Sequence, residues 1–390
     1  VRNQLRILFI AYRDSANPYA VGGDYYIWEL AKGLSKLGND VSLLCSRFQG
    51  SEAREFKEGV EVIRLTGSLA LPFRIFRHYE KVAKNKFDII VEEAIGGQRF
   101  PFFCTTYVRQ PLIAVWYQRH SKVFQGQYPR PLAILMILLE FFMGALYKNR
   151  TIIALSKTAR VQLLPLGLNP EKVHVVYAGV DKQFDNVELH PNRQHEIVCL
   201  GKMRRYKRID HAILALERLV SRVEKPCQLI IAGKVSEIDG GYIDQLRRLA
   251  QEKGIANQVR FGINVSEKEK LELLRKAKVL VQPSPVEGFS IVVAEANRCG
   301  TPVVVSDGVP SDVVVNGFNG YVYPFGNIDA FASKMARLIS DPVEWKRLSL
   351  NAYEWSKQFT WKDSAASLEK ILKHNINSEK DVQNNKLGCS

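Results

Sequence analysis

Residues 279–306 read VLVQPSPVEGFSIVVAEANRCGTPVVVS, and that order of segments constrains the fold more than any other stretch. A short apolar run is followed by a Pro-punctuated loop, an apolar segment of helical length, a Gly-Thr-Pro turn and a second apolar run. Strands buried on both faces read as such runs, and a helix between two of them makes a parallel βαβ unit. Glu287 falls in the loop before the helix. Glu295 falls inside it, among Ile291, Val292, Val293, Ala294 and Ala296. A carboxylate in that setting is costly to bury unless something pairs with it. Gly288, Phe289, Ser290 and Ile291 form the helix start, where free backbone N–H groups and the positive end of the helix dipole suit an anion. One stretch thus offers a phosphate site, a carboxylate beside it and a second carboxylate about two turns along.

Two glutamates invite a glycosidase reading. Glycosidase carboxylates face each other across a scissile bond from separate elements, whereas these lie at the mouth and in the body of one helix. They are better placed to grip one extended ligand with a diphosphate and hydroxyl-rich ends, as a nucleotide-sugar has. The plain alternative is an ordinary Rossmann-like helix start with Glu287 as a solvated loop residue.

The pattern E-G-F-S-x-x-x-x-E resembles the E-x7-E signature of the family 4 retaining glycosyltransferases. Cys299-Gly300-Thr301-Pro302-Val303 resembles that family's G-x-P-V turn, and Asn316-Gly317-Phe318-Asn319-Gly320-Tyr321 its d-G-x-N-G segment. The likeness extends from about Arg6 to about Lys373. It implies the α/β GT-B fold: two Rossmann-like doubly wound parallel-sheet domains facing a central cleft, an architecture that the alternation of strand-like and helix-like segments supports on its own. The expected divisions are residues 1–185, an acceptor-binding domain; 186–359, a donor-binding domain; 360–374, a helix crossing back to the first domain; and 375–390, a polar, disordered tail. Residues 182–195 read as the linker, lacking periodicity and holding Pro191 and Asn192.

The resemblance also assigns residues. Gly22 and Gly23, a glycine pair before an amphipathic helix, match the loop beside the donor phosphates. Gly201, Lys202 and Lys207 match a glycine and cation pair that neutralises the diphosphate, with Lys202 standing where Arg is commoner. Gly262 ends a strand near which relatives place the base. Gly288, Phe289, Ser290 and Ile291 would offer their amides, Glu295 would hold the ribose hydroxyls, and Glu287 would contact the donor sugar. Relatives carry a His after the strand at 113–116; here the candidates for that sugar contact are Tyr117, Gln118 and His120. An isolated His is more often a packing residue. Each lobe is expected to contribute one anion pocket to the same leaving pyrophosphate. No metal site is expected and no cofactor beyond a UDP- or GDP-linked sugar co-substrate.

The net charge of +15 favours anionic partners. No zinc finger or RNA-recognition signature accompanies it, so nucleic acid is not an expected partner. The six cysteines are scattered without C-x-x-C spacing and read as free thiols of a reducing compartment. No secretory signal is read in VRNQLRILFIAYR, which leads straight into a strand. A cytoplasmic place is expected, with the inner face of the membrane as a peripheral alternative. Two features bear on that alternative. Residues 131–147, PLAILMILLEFFMGALY, form the most apolar stretch, favoured as a core helix of the first domain and open to a second reading as a lipid-interface helix flanked by Arg130, Lys148 and Arg150. Upstream, Arg74, Arg77, His78, Lys81, Lys84 and Lys86 dot an amphipathic segment.

The expected function is a metal-independent retaining hexosyl transfer from a nucleotide-sugar to a hydroxyl of a glycan or lipid-linked acceptor, forming an α-linkage in glycan or glycolipid synthesis. A non-catalytic nucleotide-sugar-binding or scaffold protein on the same fold is the alternative, kept open by Ala178, Lys202 and Tyr117 at positions where the family usually differs. A dinucleotide-dependent dehydrogenase is disfavoured because no G-x-G-x-x-G follows the first strand.

Overall fold

The computed structural model describes residues 4–66, 70–95, 101–185, 193, 195–224, 226–235 and 240–387. The chain forms two compact units. One holds Val1–Arg119, Leu138–Gly179 and Thr360–Ser390; the other holds His120–Ile137 and Val180–Phe359.

The first unit is built on an eight-stranded sheet: β1 (Arg6–Ile10), β2 (Asp40–Ser46), β3 (Arg54–Lys57), β4 (Val60–Leu65), β5 (Ile89–Glu93), β6 (Leu112–Val115), β7 (Thr151–Ala154) and β8 (Val173–Val175). Their order is β3-β4-β2-β1-β5-β6-β7-β8. All neighbours are parallel except β3, which runs antiparallel to β4 at the edge. The parallel strands are apolar because helices cover both faces. The edge strand REFK is polar and half-exposed, which blunts a pairing edge and hides the strand from a search for apolar runs.

Four expectations need correction here. Gly22 and Gly23 are not a loop but the first residues of the Gly22–Lys36 helix. The helix starts there because Val21 is extended and the Asp24 carboxylate accepts from the Val21 N–H at 2.8 Å. The boundary between units falls after Gly179, not at 185, and residues 120–137 join the second unit. There the Ser121–Gln127 helix packs on the Arg205–Lys207 turn, with Gly126 against Tyr206. The final helix runs Trp361–Leu387, so 375–387 of the expected tail is helical. No Gly or Pro interrupts the chain between those residues, so nothing stops the helix once Leu368, Leu372 and Ile376 are buried. Residues 388–390 lie outside the described residues. Lastly, the Arg130–Tyr147 helix is not a fully buried core helix. Ala133, Glu140, Met143 and Tyr147 are buried, while Leu135 is 61 % and Leu138 60 % exposed.

Tyr147 anchors that helix by donating to Glu92 Oε1 on β5 at 2.5 Å. Burial pushes the Glu92 carboxyl up to about 7, against the pull of the Tyr147 hydroxyl and the Cys104 thiol. An acid held above its unfolded value binds more protons in the folded state between pH ~4.5 and ~7. Stability therefore falls as pH rises through that window, by up to about 3 kcal/mol. Glu92→Gln keeps a carbonyl acceptor for Tyr147 and carries no charge. Thermal midpoints of this variant are expected to lose that component of the decline and to exceed the parent's at pH 8.

The second unit carries β9 (Glu196–Leu200), β10 (Gln228–Gly233), β11 (Val259–Ile263), β12 (Val279–Gln282), β13 (Val303–Ser306) and β14 (Gly320–Tyr323). The order is β11-β10-β9-β12-β13-β14 and every neighbouring pair is parallel. Ile197, Cys199, Leu229, Ile231, Val279 and Val281 line one face and pack under the Asp210–Val220, Gly240–Glu252 and Ile328–Ser340 helices. The Ile291–Arg298 helix packs against β12, β13 and the Pro342–Ser356 helix. In chain order the strands run outward from β9 to β11, then restart at β12 on β9's other side. That reversal leaves a crevice at the carboxyl ends of β9 and β12, where ligands of doubly wound sheets bind.

Candidate active site

Two loops leave the sheet at this switch point. The first follows β9. Gly201 lies at φ 149° and its N–H donates to the Ala232 carbonyl at 3.0 Å. A Cβ on Gly233, at the end of β10, would lie 1.7 Å from the Gly201 oxygen, so the two strand ends approach as closely as only glycine allows. Lys202 and Arg204 follow, then the tight turn Arg205–Lys207, closed by Arg208 in the left-handed region at φ 51°. The second loop follows β12 and carries Ser284 to Ser290. It is pinned to the start of the next loop: the Glu287 N–H donates to the Gly308 carbonyl at 2.9 Å, and a Cβ on Gly308 would meet the Pro285 carbonyl carbon at 2.3 Å.

These loops bring Lys207 and Glu287 together. The Lys207 ammonium donates to Glu287 Oε1. Gln282, the last residue of β12, donates its Nε2 to the same oxygen at 2.8 Å and to Ser284 Oγ at 2.9 Å. Glu287 is only 8 % exposed, so it is no solvated loop residue. Burial pulls the Lys207 pKa down, but Glu287 and Tyr206 outweigh it and hold the ammonium above an ordinary lysine's range. The side chain is thus a cation throughout the physiological range. Its Nζ also sits 5.3 Å from the Tyr206 ring centroid. Lys202 is partly buried at the start of the same loop.

The helix start carries a second signal. Ser290, its N-cap, sits at φ 72° and ψ 75°, a conformation that costs a non-glycine residue roughly 1–2 kcal/mol. Its Oγ is buried without a hydrogen-bond partner among the described residues. The Ile291 and Val292 amides lie in the first turn, where a helix offers no internal acceptor. A strained N-cap with an unsatisfied buried hydroxyl, beside amides that the helix leaves without an internal acceptor, fits an anion clamp. Phe289 contributes only backbone: its ring is 1 % exposed and meets Phe359 edge-on at 5.1 Å. Ser290→Ala is expected to leave the thermal midpoint unchanged or slightly raised, because it removes an unpaired buried hydroxyl. Nucleotide affinity measured by calorimetry is expected to fall about tenfold.

Glu295, 3 % exposed, has the partner its burial demands. Lys270, from the Glu267–Lys276 helix, donates to Glu295 Oε1 at 2.8 Å and also pairs with Glu267 at 2.6 Å. Burial still outweighs Lys270 and holds the Glu295 carboxyl above the usual range. Lys270 and Gln282 were not singled out in the sequence. A buried carboxylate implies a cation, but several lysines on that helix would serve.

Other expected residues are placed differently. Gly262 is not at a strand end: β11 continues to Ile263, and the turn is made by Asn264 at φ 56°. In the first unit, the Tyr117 ring lies over the amino end of the Gly22–Lys36 helix. Its hydroxyl donates to the Gly23 carbonyl at 3.1 Å, and a Cβ on Gly23 would be 2.9 Å from the ring. This contact accounts for glycine at position 23. Gln118 is buried. His120 is 4 % exposed and stacks on Phe124 at 5.7 Å, which is the packing role. Among the described residues no cluster of His, Cys, Asp and Glu could hold a metal ion.

Two family models match the chain: Glycosyltransferase Family 4 over residues 21–184, and Glycosyl transferases group 1 over residues 180–355. A curated D-inositol 3-phosphate glycosyltransferase from Streptomyces bingchenggensis is 28 % identical over 265 residues, 64 % of this chain and 57 % of the relative. The chain thus spans little more than half the length of the curated relatives it matches. Among solved structures, sucrose-phosphate synthase from Thermosynechococcus elongatus superposes with a TM-score of 0.80 at 18 % identity, covering 96 % of this chain and 100 % of that one. Anabaena HepE in complex with UDP and glucose gives 0.74 at 17 %, covering 95 % and 100 %. The two parallel-sheet units are those of the GT-B fold.

Proposed function

Because this chain belongs to the family 4 glycosyltransferases, we propose that it transfers a hexose from a nucleoside diphosphate to a hydroxyl acceptor with retention of configuration. The observation that carries this reading is the Lys207–Glu287 pair at the topological switch point of the second sheet. An ammonium carries three N–H donors, so Lys207 keeps donor capacity beyond its contacts with Glu287 and Tyr206. With Lys202 and the amides of residues 288–291, it is suited to a diphosphate. These groups stabilise charge that grows as the bond from the sugar C1 to the phosphate oxygen breaks and its electron pair passes to that oxygen. The acceptor oxygen forms its bond to C1 on the same face, its proton goes to a phosphate oxygen, and the nucleoside diphosphate leaves. Glu287 orients the sugar and faces the developing positive charge. Two donors already engage its Oε1, which makes it a poor nucleophile for a covalent intermediate. Glu295, steadied by Lys270, accepts from ribose hydroxyls.

HepE's complex with UDP and glucose supports a UDP-linked donor as the first to try, with GDP-linked sugars beside it. The relative's name, an inositol phosphate glycosyltransferase, and the net charge of +15 favour an anionic hydroxyl acceptor. The test is release of free nucleoside diphosphate from a panel of UDP- and GDP-sugars, with and without acceptor. Slow release from one donor is expected. No release from any donor, together with a thermal shift on nucleotide binding, would leave a non-catalytic binding protein.

A further inference from the structure

The Arg130–Tyr147 helix is long and apolar enough to cross a membrane by length and composition, yet one side of it packs on protein. The other side is bare. Ile134 is 57 %, Leu138 60 % and Phe142 57 % exposed, with Leu135, Phe141 and Ala145 beside them. These positions recur every three or four residues and so form one stripe along the helix. Glu140 is buried on the opposite side. Arg130 and Lys148 are exposed at the two ends, and the Arg119 guanidinium lies 5.2 Å from the Phe141 ring.

A second element repeats the pattern. On the Leu71–His78 helix, Phe73 is 61 % and Phe76 37 % exposed beside exposed Arg74 and Arg77. Arg77 stacks over Phe73 at 5.9 Å, and exposed Lys81 and Val82 follow. Both helices cover the same face of the first sheet. Leu112 and Ala114 share a side of β6; Leu112 packs with Leu71, Ile75 and Tyr79, Ala114 with Met143 and Tyr147. One face of this unit therefore presents two aromatic and aliphatic ridges, each set among cations.

We propose that this face docks on an anionic lipid bilayer, with the stripe 138–145 lying in the plane of the interface. Two observations choose lipid over protein as the occupant. The cations flank the apolar residues instead of being segregated from them, which places charges at headgroup level when the side chains enter the acyl boundary. The same combination stands on two helices of one face, each able to contribute membrane affinity. The inference rests on Leu138 to Ala145 and the Leu71–His78 helix, both in the first unit, and does not require the donor chemistry proposed above.

The test is co-sedimentation of the full chain with phosphatidylcholine vesicles and with vesicles of phosphatidylcholine and phosphatidylglycerol at about 7:3. Binding to the anionic vesicles is expected, stronger than to the neutral ones and weakened by salt. The double variant Leu138→Ser/Phe142→Ser is expected to bind at least tenfold more weakly. The variant Arg74→Ala/Arg77→Ala should bind several-fold more weakly. All four side chains are exposed, so thermal midpoints should stay near the parent's and report an intact fold. Equal sedimentation with neutral and anionic vesicles, or variants that bind as the parent does, would overturn the proposal. So would a dimer in analytical ultracentrifugation that Leu138→Ser/Phe142→Ser dissociates, since the stripe would then be a protein interface.

Discussion

Lys207→Ala is expected to lower turnover by at least about a hundredfold, close to 2.7 kcal/mol of transition-state stabilisation. The ammonium is the one cation seen to reach Glu287 in the described residues, and it sits where two strand ends part. Its loss removes charge where a diphosphate leaving group would develop it. The same substitution leaves Glu287 buried beside Gln282 without its counter-ion, so some of the loss could be confused with unfolding. The pair of variants Lys207→Met/Glu287→Gln separates the two. With both charges gone, the thermal midpoint should recover while turnover stays at least a hundredfold down. Glu287→Ala alone is expected to cost a similar factor, and the double variant should not lose the sum of the two, because the residues act as a unit. Turnover near the parent's in either single variant contradicts the assigned role.

Arg193→Met is expected to be the most destabilising single change, at about 3–5 kcal/mol, because it strands several buried acceptors at once. Arg193 is 6 % exposed and has no carboxylate partner among the described residues. Its Nη1 donates to the Leu274 carbonyl at 2.9 Å, the Ala277 carbonyl at 3.2 Å and Thr301 Oγ1, and its Nη2 to the Cys299 carbonyl. One guanidinium therefore ties the end of the Glu267–Lys276 helix to the turn that follows the Ile291–Arg298 helix. Its plane also lies near the Trp345 ring, 5.6 Å away. Burial without a counter-charge pulls its pKa down to about 10. Methionine matches the stem but strands the acceptors, and lysine reaches only some of them. Calorimetry should show the melting transition lowered by roughly 10 °C. A shift within about 2 °C would mean that water satisfies those carbonyls.

Glu287, Lys207 and Arg193 mark what the sequence could and could not reveal. Glu287 and Lys207 were legible because local motifs place each of them at the carboxyl end of a strand, and sheet topology does the rest. Arg193 was not, because the stretch around it reads as a polar linker. Nothing local says that a lone arginine turns inward to collect three carbonyls from two distant segments. Lys270 and Gln282 escaped for the same reason: a partner chosen by tertiary contact leaves no mark in spacing. The strands β3 and β14 were missed because neither is an apolar run. β3 is polar at an edge, and Gly320 is required in β14 because a Cβ there would lie 2.5 Å from the Val303 oxygen. The apolar helix at 130–147 was legible as apolar, but composition alone does not say which side is covered. Only the packing of Met143 and Tyr147 shows that the other side is left open.

The central claim is that Lys207 and the amino end of the Ile291–Arg298 helix hold a nucleotide's diphosphate. Calorimetric titration of the parent and of Lys207→Met/Glu287→Gln with UDP, GDP and the matching nucleosides tests it most directly. One diphosphate should bind the parent, and the variant should lose at least about tenfold in affinity for it while its weak binding of the nucleoside is unchanged. Equal loss for nucleoside and diphosphate, or no loss for either, would show that the phosphates bind elsewhere.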